Sequence, residues 1–140
     1  MISKKEEESL VQQALEARTS AYAPYSGYTV GAALLTAEGK VYGGGNIENA
    51  SYGATNCAER TAFFKAVNAG ERKFAAIAIA GGKNGEDPVE YAYPCGICRQ
   101  VMQEFCAPDF AIYVVKSETE YQKLTLKELL PYGFGGDAIR

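Results

Sequence analysis

Apolar residues recur at helical spacing near the start of the chain, where Leu10, Ala14, Ala17 and Ala21 are set among Glu and Gln. The pattern predicts an amphipathic helix over residues 5–21, broken by Tyr22-Ala23-Pro24-Tyr25-Ser26-Gly27. Residues 29–35 and 41–44 read as two strands joined by a turn at 37–40, a hairpin. A polar, Asn-dense loop follows over 45–56. Strong helix formers fill 57–69, and Gly70 stands where a helix-ending glycine belongs. Residues 74–80 are continuously apolar, as a strand buried on both faces should be. A long loop over 81–94 leads to a second helix at 96–105 and another apolar strand at 111–115. Thr125-Leu126-Lys127-Glu128 has the form of a capping box opening a short last helix, which Pro131 stops. The order α-β-β-α-β-α-β-α predicts an α/β fold, a three-layer α/β/α sandwich with a mixed sheet and helices on both faces.

The chain has 140 residues, enough for one domain spanning 1–140 with a substantial core. No stretch approaches the roughly 20 apolar residues of a membrane helix, so no membrane partner is expected. Residues 1–9 are rich in Lys and Glu and lack the apolar run of a signal peptide, which makes a cytoplasmic location the expectation. The net charge is −3 and the basic residues are scattered rather than gathered on one patch. That argues against a nucleic-acid partner and for a small-molecule substrate.

Two counts narrow the chemistry. The chain has no histidine, so no mechanism can use one as base or ligand. It has four cysteines: Cys57, Cys95, Cys98 and Cys106. They allow two disulfides in three connectivities, but a reducing compartment opposes them and a good core does not need them. Cys57-Ala58-Glu59-Arg60 and Pro94-Cys95-Gly96-Ile97-Cys98 each place cysteine at the predicted start of a helix. The partial positive charge there favours a thiolate. Cys95 and Cys98 can turn toward one ion and Cys57 can complete a triangle, leaving the fourth tetrahedral position of zinc open, the pattern of a catalytic site. Two other readings stay open at this point. Cys95 and Cys98 can form a redox pair. Alternatively, all four cysteines can enclose a structural zinc, although Cys106 lies at the far end of the predicted helix, more than roughly 10 Å away, where a buried apolar thiol is expected. Glu59, taken alone, is a first-turn glutamate favoured by the helix dipole. Beside an open zinc site it becomes the natural proton shuttle.

These paired segments, continued by Arg99-Gln100, resemble the signature of the small homotetrameric zinc-dependent cytidine deaminases. Tyr22-Ala23-Pro24-Tyr25-Ser26, Val30-Gly31-Ala32-Ala33-Leu34, Asn46-Ile47-Glu48-Asn49-Ala50 and Glu128-Leu129-Leu130-Pro131 are similar to family segments in the family's order. The resemblance spans almost the whole chain.

It implies hydrolytic deamination of cytidine and deoxycytidine to uridine and deoxyuridine. One zinc ion per chain, on Cys57, Cys95 and Cys98, would acidify water for attack on C4. Glu59 would carry the proton to N3 and then to the departing amine. The Ala58 amide would hold the base O2, and the Tyr93 carbonyl would accept from the amino group. Asn46 and Glu48 would grip the ribose 3′-OH, a group that both donates and accepts. Zn²⁺ with three thiolates sums to −1, and Arg60 would draw charge from the sulfurs. A contribution from Arg99 is open, with a surface salt bridge the stronger expectation. Tyr28 takes the place of a family Phe stacked on the base. Phe134, Ala50 and Tyr52 match positions that reach a neighbouring subunit's site in a homotetramer, with plain packing as the alternative for the aromatics. Three features depart from the family pattern: Tyr93 in place of Ser or Thr, a longer loop over 82–91, and Gly43-Gly44-Gly45 before the substrate loop. The last implies either a flexible backbone or a closely approached one.

Overall fold

The computed structural model describes residues 2–140; Met1, the first residue of the expected domain, lies outside them. Helix α1 spans Lys4–Ala17, followed by strands β1 (Tyr28–Thr36) and β2 (Val41–Gly45), helix α2 (Ala58–Asn68) and strand β3 (Phe74–Lys83). Helix α3 (Gly96–Phe105), strands β4 (Ala111–Val115) and β5 (Tyr121–Thr125) and the short helix α4 (Leu126–Leu129) complete the chain. One five-stranded sheet runs in the order β2-β1-β3-β4-β5. The β3–β4 pair is parallel, with α3 in its crossover, and the other pairs are antiparallel.

The pleat sends alternate residues to opposite faces. In β3, Ala76, Ala78 and Ala80 join Leu10, Val11 and Ala14 of α1 in one core. Ile77 and Ile79, on the other face, pack with Phe63 of α2 and Met102 of α3 in a second core. The sheet is therefore mixed and covered by helices on both sides, the three-layer arrangement expected. Phe63 is fully buried and meets Phe74 edge-on at a centroid distance of 5.2 Å. Burying a side chain of that size stabilises by roughly 1.5–3 kcal/mol. No described helix is long and apolar enough to cross a membrane.

Two boundaries and one additional strand depart most from expectation. The first helix ends at Ala17 and tightens into a 3-10 turn over Arg18–Ser20, instead of running on to residue 21. The chain must become extended there, because Tyr22 N donates to Asn46 O at 2.8 Å and Glu48 N donates to Tyr22 O at 2.8 Å. Strand β3 continues through Gly81 and Gly82 to Lys83, because β1 pairs with it as far as Tyr28. Strand β5 was not expected; it is an edge strand with Gln122 and Lys123 exposed, so its sequence lacks a clean apolar alternation. The capping box at Thr125 is present, with Thr125 and Glu128 bonding reciprocally. A second box at the start of α1, between Ser3 and Glu6, was written in the sequence as Ser-x-x-Glu.

Candidate metal centre

Two helix starts make the site. Cys57 is the residue before the first turn of α2 and Cys95 the residue before the first turn of α3, both with extended backbone. Cys98 lies one turn into α3 and is buried. The three Sγ atoms lie within 4.8 Å of one another, and those of Cys57 and Cys95 are 3.7 Å apart. Cys106, at the end of α3, is outside this group and packs against the core, where burial pushes its thiol up to about 12.

The start of α2 reaches the sheet because β2 carries no side chain under it. A Cβ on Gly44 would stand 2.7 Å from the Ala62 nitrogen and 2.8 Å from the Ala58 carbonyl oxygen. Gly45 is equally tight, with a Cβ 2.6 Å from the Ala21 nitrogen, so two of the three glycines before residues 46–56 are closely approached by backbone, whereas Gly43 has only ordinary contacts.

Glu59 is 4% exposed and lines the same cavity as Cys57 and Cys95. Burial pushes its carboxyl up to about 7, and the neighbouring Cys57 thiolate adds to the rise. Cys57 moves the other way, down to about 5, through hydrogen bonding from Cys98 first and then from Arg60. The Cys98 thiol is shifted upward, first by its hydrogen bond with Cys57 and then by burial. Arg60 Nη2 donates to Cys57 Sγ at 3.3 Å. Its Nε is buried without a hydrogen-bond partner among the described residues. A guanidinium held against sulfur with a donor to spare suits a cluster that carries net negative charge. Three thiols converging at helix starts, an unpaired buried cation donor and a buried carboxylate fit a three-cysteine zinc site with an open position.

A cavity of about 290 Å³ collects Tyr28, Asn46, Ala58, Glu59 and Tyr93 with Cys57 and Cys95. Glu48 and Tyr52 line an adjoining cavity of about 430 Å³, and Thr55 borders both. Ala50 and Phe134 line neither; both are exposed. Asn46 is held on β1: its Oδ1 accepts from Val30 N at 2.8 Å and its Nδ2 donates to Tyr28 O at 3.0 Å. One lone pair and one N–H of the amide remain. Glu48 Oε1 accepts from Tyr25 N at 2.9 Å and Ser26 N at 3.1 Å, and Oε2 accepts from Ser26 Oγ at 2.5 Å. These bonds, Ser26 foremost, hold its carboxyl below its ordinary range.

One side chain behaves differently from expectation. Arg99 forms no salt bridge among the described residues: Nε donates to Pro94 O and Nη1 to Leu129 O, each at 2.7 Å. It clamps the peptide just before Cys95 to the end of α4. The Tyr93 hydroxyl donates to Gln122 Oε1 on β5 at 2.8 Å, although the residue borders the cavity. Sequence reasoning missed Asn56 and Thr61. Asn56 Nδ2 donates to Thr61 Oγ1 at 3.0 Å, and Thr61 Oγ1 donates to the Cys57 carbonyl at 3.3 Å. The placement of Thr61 four residues after Cys57, on the same helical turn, was the available signal.

A sequence profile for the cytidine and deoxycytidylate deaminase zinc-binding region matches residues 4–114. The cytidine deaminase of Halalkalibacterium halodurans is 50% identical over 125 residues, which span 89% of this chain and 91% of that protein. That of Sporosarcina psychrophila is 47% identical over 132 residues, spanning 94% and 93%. The crystal structure of cytidine deaminase from Burkholderia pseudomallei aligns with a TM-score of 0.83 at 44% identity, covering 95% of this chain and all of that one. The three-cysteine cluster at two helix starts, the fold and these likenesses agree: the chain belongs to the cytidine and deoxycytidylate deaminase zinc-binding family.

Proposed function

We propose that this protein hydrolyses free cytidine and deoxycytidine to uridine and deoxyuridine, releasing ammonia. The observation that carries the reading is Glu59, a buried carboxyl in one cavity with the cysteines at the starts of α2 and α3. Cys57, Cys95 and Cys98 would hold the zinc. When bound, zinc lowers the pKa of water so that hydroxide is available near neutral pH. Glu59 removes the proton from the attacking water and gives it to N3 as the new C4–O bond forms. It then passes the proton of the C4 hydroxyl to the amine, so that C4–N breaks, C4=O forms and ammonia leaves.

Arg60 stabilises the thiolates from behind. The Ala58 amide, an unused donor of the first helical turn, holds the base O2, and the Tyr93 carbonyl receives the amino group. Tyr28 flanks the base. Asn46 and Glu48 take the ribose hydroxyl from adjoining cavities, each with hydrogen-bonding capacity left after its internal bonds.

The assignment extends to a single catalytic domain over 1–140 acting in the cytoplasm as a homotetramer. Ala50, Tyr52 and Phe134 then complete a neighbouring subunit's site. Their exposure supports this: Tyr52 is 84% and Phe134 62% accessible.

Following the cytidine absorbance band tests the reading, with Glu59→Ala alongside. The wild type should convert the band and release ammonia. The variant should retain zinc and lose activity by about a thousandfold, within the range of general acid–base catalysis. Zinc-loaded wild type that leaves cytidine untouched would refute the substrate assignment.

A further inference from the structure

Gly81 lies near the end of β3, buried, opposite Val30 of β1. It is not among the glycines in the left-handed region, so its backbone accepts an alanine. Its neighbours do not. A Cβ built there would stand 2.9 Å from Tyr28 Cε2, 2.9 Å from the Tyr28 hydroxyl oxygen and 2.9 Å from Ala92 Cβ. Tyr28 and Ala92 both line the cavity that holds Cys57 and Glu59. The phenol of Tyr28 therefore lies against the bare backbone of Gly81.

The backbone of Tyr28 is held on both sides. Its N–H donates to Ser26 Oγ at 3.0 Å, and its carbonyl accepts from Asn46 Nδ2 at 3.0 Å. With the backbone so held, a methyl group at residue 81 would have to displace the Tyr28 ring or the Ala92 methyl, both of which line the cavity. We propose that Gly81 is a positioning residue for binding of the base: it seats the Tyr28 phenol against the sheet and so sets the width of the cavity on the side of the pyrimidine. The base-binding part rests on the cytidine reading above. The packing part stands without it.

The test is a cycle of zinc-loaded wild type, Gly81→Ala, Tyr28→Phe and the double variant. In Gly81→Ala the KM for cytidine should rise roughly tenfold, the scale of one methyl group in a close-fitting pocket, with zinc content and kcat near wild type. Deoxycytidine should suffer the same factor, because it carries the same base. Tyr28→Phe removes the hydroxyl contact, so Gly81→Ala should raise KM by a smaller factor in that background. Melting temperature reads the packing independently of turnover. Gly81→Ala should cost about 4 °C beside Tyr28, the scale of mild overpacking, and less in the Tyr28→Phe background.

An unchanged KM in Gly81→Ala, or an equal loss in both backgrounds, overturns the proposal. If the wild type does not deaminate cytidine, the functional reading fails. The melting cycle then decides the seat alone: coupling between residues 28 and 81 supports it, and additivity overturns it.

Discussion

The two faces of the sheet use the same strands for different ends. On the α1 side, Ala33, Ala76, Ala78 and Ala80 present a small-residue surface to Leu10, Val11 and Ala14. On the other side, Leu34, Ile77, Ile79 and Ile112 carry α2 and α3. Every proposed metal ligand lies at or just inside the start of one of those two helices. The contrast teaches that an α/β layer can be devoted to support: the α1 face contributes close packing, and the α2–α3 face contributes both packing and the proposed reacting groups. Substitutions should separate along this line.

The largest effect is expected on the chemical face. Arg60→Gln removes the guanidinium from Cys57 Sγ and leaves a shorter, uncharged polar side chain. Turnover should fall about a hundredfold, the upper end for groups that tune a metal from behind its ligands, while zinc content by atomic absorption and the melting temperature hold. Unchanged turnover would mean that the thiolates need no counter-charge. Next comes the α1 face. Ala78 is fully buried between its register partners Ala33 on β1 and Tyr113 on β4, so Ala78→Val overpacks it at a cost of about 2 kcal/mol. Urea unfolding should register that loss, whereas kcat/KM of the folded protein should not move. A drop in kcat/KM would show that strain crosses the sheet and would end the division of labour.

The chemical face was the more legible of the two in the sequence, because its signals are local. Three cysteines, a glutamate two residues after the first of them and helix formers behind each suffice to draw a metal site, and the Sγ atoms converge accordingly. Asn46 and Glu48 were legible as a polar pair but not as occupants of separate cavities, since that division depends on how residues 45–56 fold against Tyr22. The fate of Arg99 was hidden for a similar reason: its partner Leu129 is distant in sequence. Apolar periodicity gave the helices and inner strands. It could not give β5, whose outer positions are polar because it is an edge, nor the end of α1, where pairing with residues 46–48 overrides helix propensity.

A smaller effect lies where the support face meets that edge strand. The Tyr121 hydroxyl on β5 donates to Glu7 Oε2 of α1 at 2.6 Å, and Lys4 Nζ contacts the same oxygen at 3.0 Å. The bond from Tyr121, ahead of the one from Lys4, holds the Glu7 carboxyl below its ordinary value. Tyr121→Phe removes the hydroxyl but keeps the ring against Tyr113, 6.0 Å away between centroids. The loss at neutral pH should be about 1 kcal/mol, that of one hydrogen bond to a charged, partly shielded group. A carboxyl whose pKa is depressed by folding stabilises the native state above its unfolded value, about 4.3 for glutamate, and this contribution disappears as pH falls through the folded value. The gap between wild type and Tyr121→Phe should therefore be widest near neutrality and narrow in acid, with kcat/KM unaffected throughout. A gap that stays constant down to acid pH would assign the stabilisation to the contact of the hydroxyl itself and not to the charge on Glu7. Loss of turnover in this variant would tie the α1 face to the chemistry after all.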